Sequence, residues 1–128
     1  MSENFTVEII SPDRSVIKIE TNEVVIPSYE GEMGILKDHI PLITFLRPGI
    51  IKISDDNEKN FFVEEGTVEF SNNNLLILTS SAIKLSDINQ NLANNLVSEA
   101  EKKISKNNQT DKENYLLHYK IETLKNVN

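Results

Sequence analysis

Few side chains in this chain could do chemistry. The only imidazoles belong to His39 and His118, and there is no cysteine, which excludes thiolate nucleophiles, thiolate metal sites and disulfides. Asp38-His39 offers an acid beside a base. Neighbours in an extended segment point apart, however, and no serine or second acid has the spacing of a triad. A structural histidine is the expectation there. Gly31-Glu32-Met33-Gly34 looks at first like a phosphate-cradling loop, but it lacks the lysine and the following helix, and Glu32 would repel a phosphate. The acid pairs Asp55-Asp56 and Glu64-Glu65 fall at turns, with no further ligands to complete a metal site. Neither an enzyme nor a cofactor is expected.

Composition narrows the partners. A formal charge of -7 over 128 residues argues against nucleic acid. The surplus is uneven: residues 1–85 carry seven Lys/Arg against fourteen Asp/Glu, and residues 86–128 carry six of each. No apolar run approaches the roughly 18 residues of a membrane span, and the Met-Ser-Glu-Asn start has no signal-peptide or transit-peptide character. The expectation is a soluble chain that stays where it is made, with Asn4-Phe5-Thr6 and Asn108-Gln109-Thr110 as chance matches to the glycosylation pattern.

The elements that would position these residues change character near residue 85. Up to residue 80 the apolar residues come in short, β-branched runs closed by turn signals, which predicts an antiparallel β-sandwich of at least eight strands, near residues 5–9, 16–20, 24–26, 42–46, 50–54, 61–64, 67–71 and 75–80. Pro27-Ser28 is expected to break the third run, Asp55-Asp56-Asn57-Glu58 to be a solvated hairpin tip, and Pro48-Gly49 to be a turn between two strands. Residues 31–53 hold three of the four glycines and two of the four prolines, so Gly31 and Gly34 are read as a shaped loop.

After Ser81 the period becomes helical. Leu92, Leu96, Ala100 and Ile104 form one stripe, predicting a helix over residues 88–106 with Asp87 as its N-cap. Asn107-Asn108-Gln109 ends it, and Thr110-Asp111-Lys112-Glu113 is a capping-box start for a second helix with Leu117, Ile121 and Leu124 on one face. So short a turn makes the helices antiparallel. The fold class is therefore α+β, with residues 1–85 as the sandwich and 86–128 as a two-helix hairpin. The apolar stripes are too narrow for that hairpin to stand alone, so it leans on the sandwich or on a partner.

The run Gly34-Ile35, His39, Pro41-Leu42, Thr44, Leu46 and Pro48-Gly49-Ile50, followed by a Glu65-Gly66 turn and a terminal helical pair, resembles the epsilon subunit of F-type ATP synthases over essentially the whole chain. The resemblance implies a non-catalytic central-stalk rotor subunit that couples the c-ring and the gamma subunit to the catalytic head. The implied place is the cytoplasmic face of a bacterial inner membrane, peripheral through the complex, with the isolated chain a monomer. Carried onto this sequence, Tyr29, Glu30, Gly31, Glu32 and Met33 fall at the c-ring contact, and His39 falls on the gamma-facing side. The hairpin would meet the beta and alpha subunits when extended, through Lys102, Lys103 and Lys106, although cations in the last turn of a helix are also what its dipole favours.

One departure is informative. Relatives that bind ATP in the hairpin carry Ile or Leu, Asp, two variable residues, Arg and Ala, whereas this chain reads Ile88-Asn89-Gln90-Asn91-Leu92-Ala93 and has no arginine after Arg47. Without the carboxylate and the guanidinium fork a phosphate has little to hold it, so a hairpin that modulates hydrolysis without sensing ATP is expected. The competing reading is a generic protein-interaction module, a sandwich scaffold carrying a partner-binding helix pair. A small hydrolase built on Asp38-His39 and a nucleic-acid-binding barrel rank behind both.

Overall fold

The computed structural model describes residues 3–53, 59–106 and 109–126. The ten strands are β1 (Phe5–Ser11), β2 (Arg14–Thr21), β3 (Glu23–Ser28), β4 (Gly31–Leu36), β5 (Leu42–Leu46), β6 (Gly49–Ile53), β7 (Phe61–Val63), β8 (Gly66–Ser71), β9 (Asn74–Thr79) and β10 (Ala82–Lys84). A 3-10 turn at Leu85–Asp87 leads to two helices, α1 (Gln90–Ser105) and α2 (Asp111–Lys125). The hydrogen-bonded path is β10-β7-β6-β3-β5-β8-β9-β1-β2, with β4 paired to β3. All pairings are antiparallel except β1 with β9.

Alternation along the strands builds the core. Phe5, Val7 and Ile9 of β1 point inward against Val68 and Phe70 of β8 and Leu75 and Ile77 of β9, all buried, and Val24, Ile26, Ile35, Leu46, Ile51 and Ile53 close the other side. Phe5 and Phe70 meet edge-on at 5.6 Å. At the β8–β9 connection Asn72 and Asn73 both take positive φ, 51° and 58°, the two-residue turn whose twist suits adjacent antiparallel strands.

The structure corrects the reading of residues 27–36. They form a hairpin rather than a loop, with Ser28 opposite Gly31, Pro27 opposite Glu32 and Ile26 opposite Met33. Pro27 does not end β3: it needs no donor there, and its carbonyl accepts from Arg47 N–H at 3.0 Å. Gly31 alone among the glycines has positive φ, 121°, as the tight reversal at Tyr29-Glu30 demands; Gly34 is ordinary strand. Pro48-Gly49 does lie between two strands, as expected, but those strands are not paired with each other. β5 pairs with β8 and β3 while β6 pairs with β3 and β7, so the link is a corner, and a Cβ on Gly49 would lie 2.6 Å from Pro27 Cβ. The three-residue β10 has no counterpart among the expected strands. The Asp55-Asp56-Asn57-Glu58 tip and the Asn107-Asn108 part of the interhelix turn lie outside the described residues.

The helix caps are half as read. Asn89, not Asp87, caps α1, its side chain accepting from Leu92 N–H at 2.8 Å, while Asp87 is spent in the 3-10 turn. The capping box of α2 is present as expected, with Glu113 N–H donating to Thr110 Oγ1 at 3.1 Å.

Candidate functional site

Two surfaces collect the residues of interest. The first is the junction of hairpin and sandwich. Phe62 of β7 is buried in a second small core with Ile88, Ala93 and Leu124, flanked by Ile50, Ile83, Leu85, Leu92, Leu96 and Val97. The stripe of α1 thus packs on the sandwich. In α2 the buried positions are Leu116, Lys120 and Leu124, a face turned one residue from the expected Leu117 and Ile121, which are half-buried. The cause is a charge that reads as surface in sequence: Lys120 is only 8 % exposed, and its Nζ lies 2.7 Å from Glu64 Oε1. Beside it Arg47 stacks on the Tyr119 ring at 4.1 Å, and one turn on Thr123 Oγ1 donates to the Pro48 carbonyl at 3.5 Å. Pro48, Glu64, Lys103, Glu113, Leu117 and Lys120 line a cleft of about 180 Å³ between the two parts.

The second surface is a sheet face left bare. Ile43 and Phe45 of β5 point away from the core and are 75 % and 55 % exposed; Leu78 of β9 lies on the same face, since Phe45 opposes Thr67 and Thr67 opposes Leu78. Ile40, just before β5, is 74 % exposed. The expected strands did not separate these apolar residues from core. The alternation of β5 alone could have done so, because Leu42, Thr44 and Leu46 share the opposite face.

The residues assigned to partner contacts from the sequence have these places. Tyr29 and Glu30 form the β3–β4 tip, where Ser28 Oγ donates to the Gly31 carbonyl at 2.6 Å. Glu32 points outward and pairs loosely with Lys52 at 3.5 Å, both half exposed, a contact of little energetic weight. Met33 faces inward and packs, half-buried, against the sandwich core. His39 lies at the far end of β4. Its Nδ1 is 2.7 Å from the Ile40 carbonyl, so that nitrogen carries the proton, and its ring meets Phe70 edge-on at 6.0 Å.

Asp38, at φ 66°, is clamped instead to Asn73, its N–H donating to Asn73 Oδ1 at 2.7 Å and its carboxylate accepting from Asn73 Nδ2 at 3.0 Å. Acid and base therefore serve separate structural bonds, not a dyad. Lys102, Lys103 and Lys106 are exposed at the end of α1, with Lys103 on the cleft. Ile88, Leu92 and Ala93 are in the junction core, and Asn89 is occupied as a cap. Among the described residues no helix is long and apolar enough to cross a membrane.

Residues 4–85 match the model of a family described as "ATP synthase, Delta/Epsilon chain, beta-sandwich domain". The chain belongs to that family. An ATP synthase epsilon chain of Pelagibacter ubique (strain HTCC1062) is 49 % identical over 130 residues, covering 100 % of both chains. That of Dichelobacter nodosus (strain VCS1703A) is 36 % identical over 81 % of this chain and 74 % of its own. The fold is shared with a chain in the mitochondrial ATP synthase of Euglena gracilis, resolved as OSCP/F1/c-ring, at a TM-score of 0.72 and 19 % identity, covering 98 % of this chain and 79 % of that one. A chain in the central stalk/c-ring structure of Tetrahymena thermophila mitochondrial ATP synthase gives 0.65 and 13 %, covering 94 % and 92 %. The α+β architecture expected from the sequence, a β-sandwich followed by two helices, is the one observed.

Proposed function

We propose that the chain is a non-catalytic rotor subunit of an F-type ATP synthase, with residues 1–85 as the stalk-bound sandwich and 86–128 as a hairpin that modulates hydrolysis. The observation that carries this reading beyond family membership is the bare apolar strip of Ile40, Ile43, Phe45 and Leu78 on an otherwise acidic chain. Such a strip calls for a permanent protein partner, and the gamma subunit is the partner assigned to it here, with His39 at its margin. Tyr29, Glu30 and Glu32 then belong to the c-ring contact, Glu30 and Glu32 setting register against basic ring loops more than affinity. The site of action is the cytoplasmic face of a bacterial inner membrane, reached through the complex.

The hairpin is docked on the sandwich, and its exposed Lys102, Lys103 and Lys106 are the residues proposed to meet the beta subunits when it extends. Nothing in this reading requires ATP to hold it down: the Ile88–Ala93 positions are taken by packing and capping, and Arg47 is engaged on Tyr119. Affinity purification of the tagged chain from detergent-solubilised membranes tests the proposal. Recovery of gamma, c-ring and catalytic-head subunits is expected, and recovery of the chain free of all of them would refute it.

A further inference from the structure

The β3–β4 tip and helix α2 are not independent surfaces. Tyr29 is held at the tip by its N–H, which donates to the Phe45 carbonyl at 3.2 Å, and its ring lies 6.5 Å from that of Phe45. The Tyr29 ring also meets Tyr115 of α2 at 6.2 Å, and Lys112, one turn earlier in the helix, stands 5.9 Å from its centroid. Tyr115 in turn meets Tyr119 edge-on at 4.8 Å, and Tyr119 carries Arg47 on its face at 4.1 Å. A row of four aromatic rings ending in a guanidinium thus runs from β5 through the tip and along α2 back to the β5–β6 corner. Both of its sandwich anchors, Phe45 and Arg47, lie within three residues of each other in sequence.

The row differs from the rest of the junction. Phe62 and Leu124 are buried, whereas Tyr115 is exposed and Tyr29 and Tyr119 are half-buried. Contacts of that kind are individually weak, and they can be broken without opening the sandwich. The contacts to Tyr29, from Lys112 and Tyr115, sit in the N-terminal half of α2, away from Leu124.

We infer that Tyr29 couples the β3–β4 tip to the docking of α2, so that whatever grips the tip and turns the Tyr29 ring from Tyr115 loosens the helix. By linkage the effect is reciprocal: release of α2 loosens the tip by the same factor. The coupling belongs to the chain alone. It rests on the proposed function only for the identity of what grips the tip, an acid-complementary loop of the rotor ring.

Hydrogen exchange of the purified full-length chain tests it without any partner, so its outcome is separate from that of the membrane purification. In Tyr29→Ala the amides in the first half of α2 are expected to exchange about three- to tenfold faster, the range that loss of one aromatic contact gives, while β1 and β9 keep their rates. Tyr29→Phe, which keeps the ring, is expected to behave as the parent. Unchanged α2 rates, or equal acceleration in α2 and the sandwich, would overturn the inference. Should Tyr29→Ala fail to fold, Tyr115→Ala asks the question from the helix: faster exchange at residues 30–32 is expected, and an unaltered tip would overturn it.

Discussion

The Lys120–Glu64 pair gives the sharpest quantitative test of how the hairpin is held. The lysine side chain is 10 % exposed and the carboxylate 35 %, with 2.7 Å between charged atoms. Removing one member of a fully buried pair costs about 3–5 kcal/mol, because the survivor is stranded. Glu64 is more than a third open to water and would rehydrate, so the lower figure for a charge-assisted hydrogen bond, about 1.5–3 kcal/mol, discounted for that solvation to about 1–2 kcal/mol, is the better expectation. Lys120→Met keeps the buried stem and deletes the charge; Glu64→Gln deletes the other. A double-mutant cycle read by hydrogen exchange in α2 should return a coupling of about 1–2 kcal/mol, a five- to thirtyfold change in opening. The two changes are expected to leave β8 and β9 protected. Coupling below about 0.3 kcal/mol would show that the pair forms without holding anything, and the reasoning from burial would be wrong.

Further predictions follow from other contacts. Gly66→Ala places a Cβ into the Leu78 carbonyl oxygen of the adjacent strand, so a loss of about 1–3 kcal/mol is expected in thermal or urea unfolding; parent-like stability would mean that the strands have room to part. The hydrogen bond that the Tyr115 hydroxyl donates to Tyr119, followed by desolvation, holds the Tyr115 phenol above the ordinary tyrosine range. A raised phenol value favours the neutral form in the docked state, so this support is complete below the unfolded tyrosine value and is lost as pH rises through the folded one. A spectrophotometric titration should accordingly show a late-ionising phenol that is lost in Tyr115→Phe, and its persistence in that variant would contradict the assignment. Calorimetric titration with ATP is expected to show no sub-millimolar site, and such a site would overturn the reading of residues 88–93.

How much of this was legible depends on which force decided each element. β1, β2 and β8 alternate because each has one face on the core, and period two is then written in the sequence. β4 was hidden because Gly31 and Gly34 weaken strand propensity, and its pairing partner β3 contains Pro27; register with β3, a tertiary fact, overrides both. The capping box of α2 was readable, being local chemistry within four residues. Its buried face was not, since Lys120 is inward only because Glu64 arrives from a distant turn.

The candidate surfaces divide in the same way. The tip residues Tyr29–Glu32 and His39 were found through resemblance, and the structure adds what each one touches. The exposed strip and the aromatic row were missed because apolar residues on a strand look alike whether they face a core or a partner. Their spacing in β5, with Ile43 and Phe45 out of phase with the buried Leu46, was the available clue.

The central claim is that the bare face of β5 and β9 is where this chain joins the rotor, and Ile43 tests it most directly. At 75 % exposure its replacement leaves the sandwich core untouched, so Ile43→Glu should fold with parent-like stability. Losing the burial of one isoleucine and forcing a carboxylate into an apolar contact together cost roughly 3–5 kcal/mol of association. Titration against the isolated gamma subunit is therefore predicted to show binding weakened by about two to four orders of magnitude. Parent-like affinity in a folded Ile43→Glu chain would contradict the account.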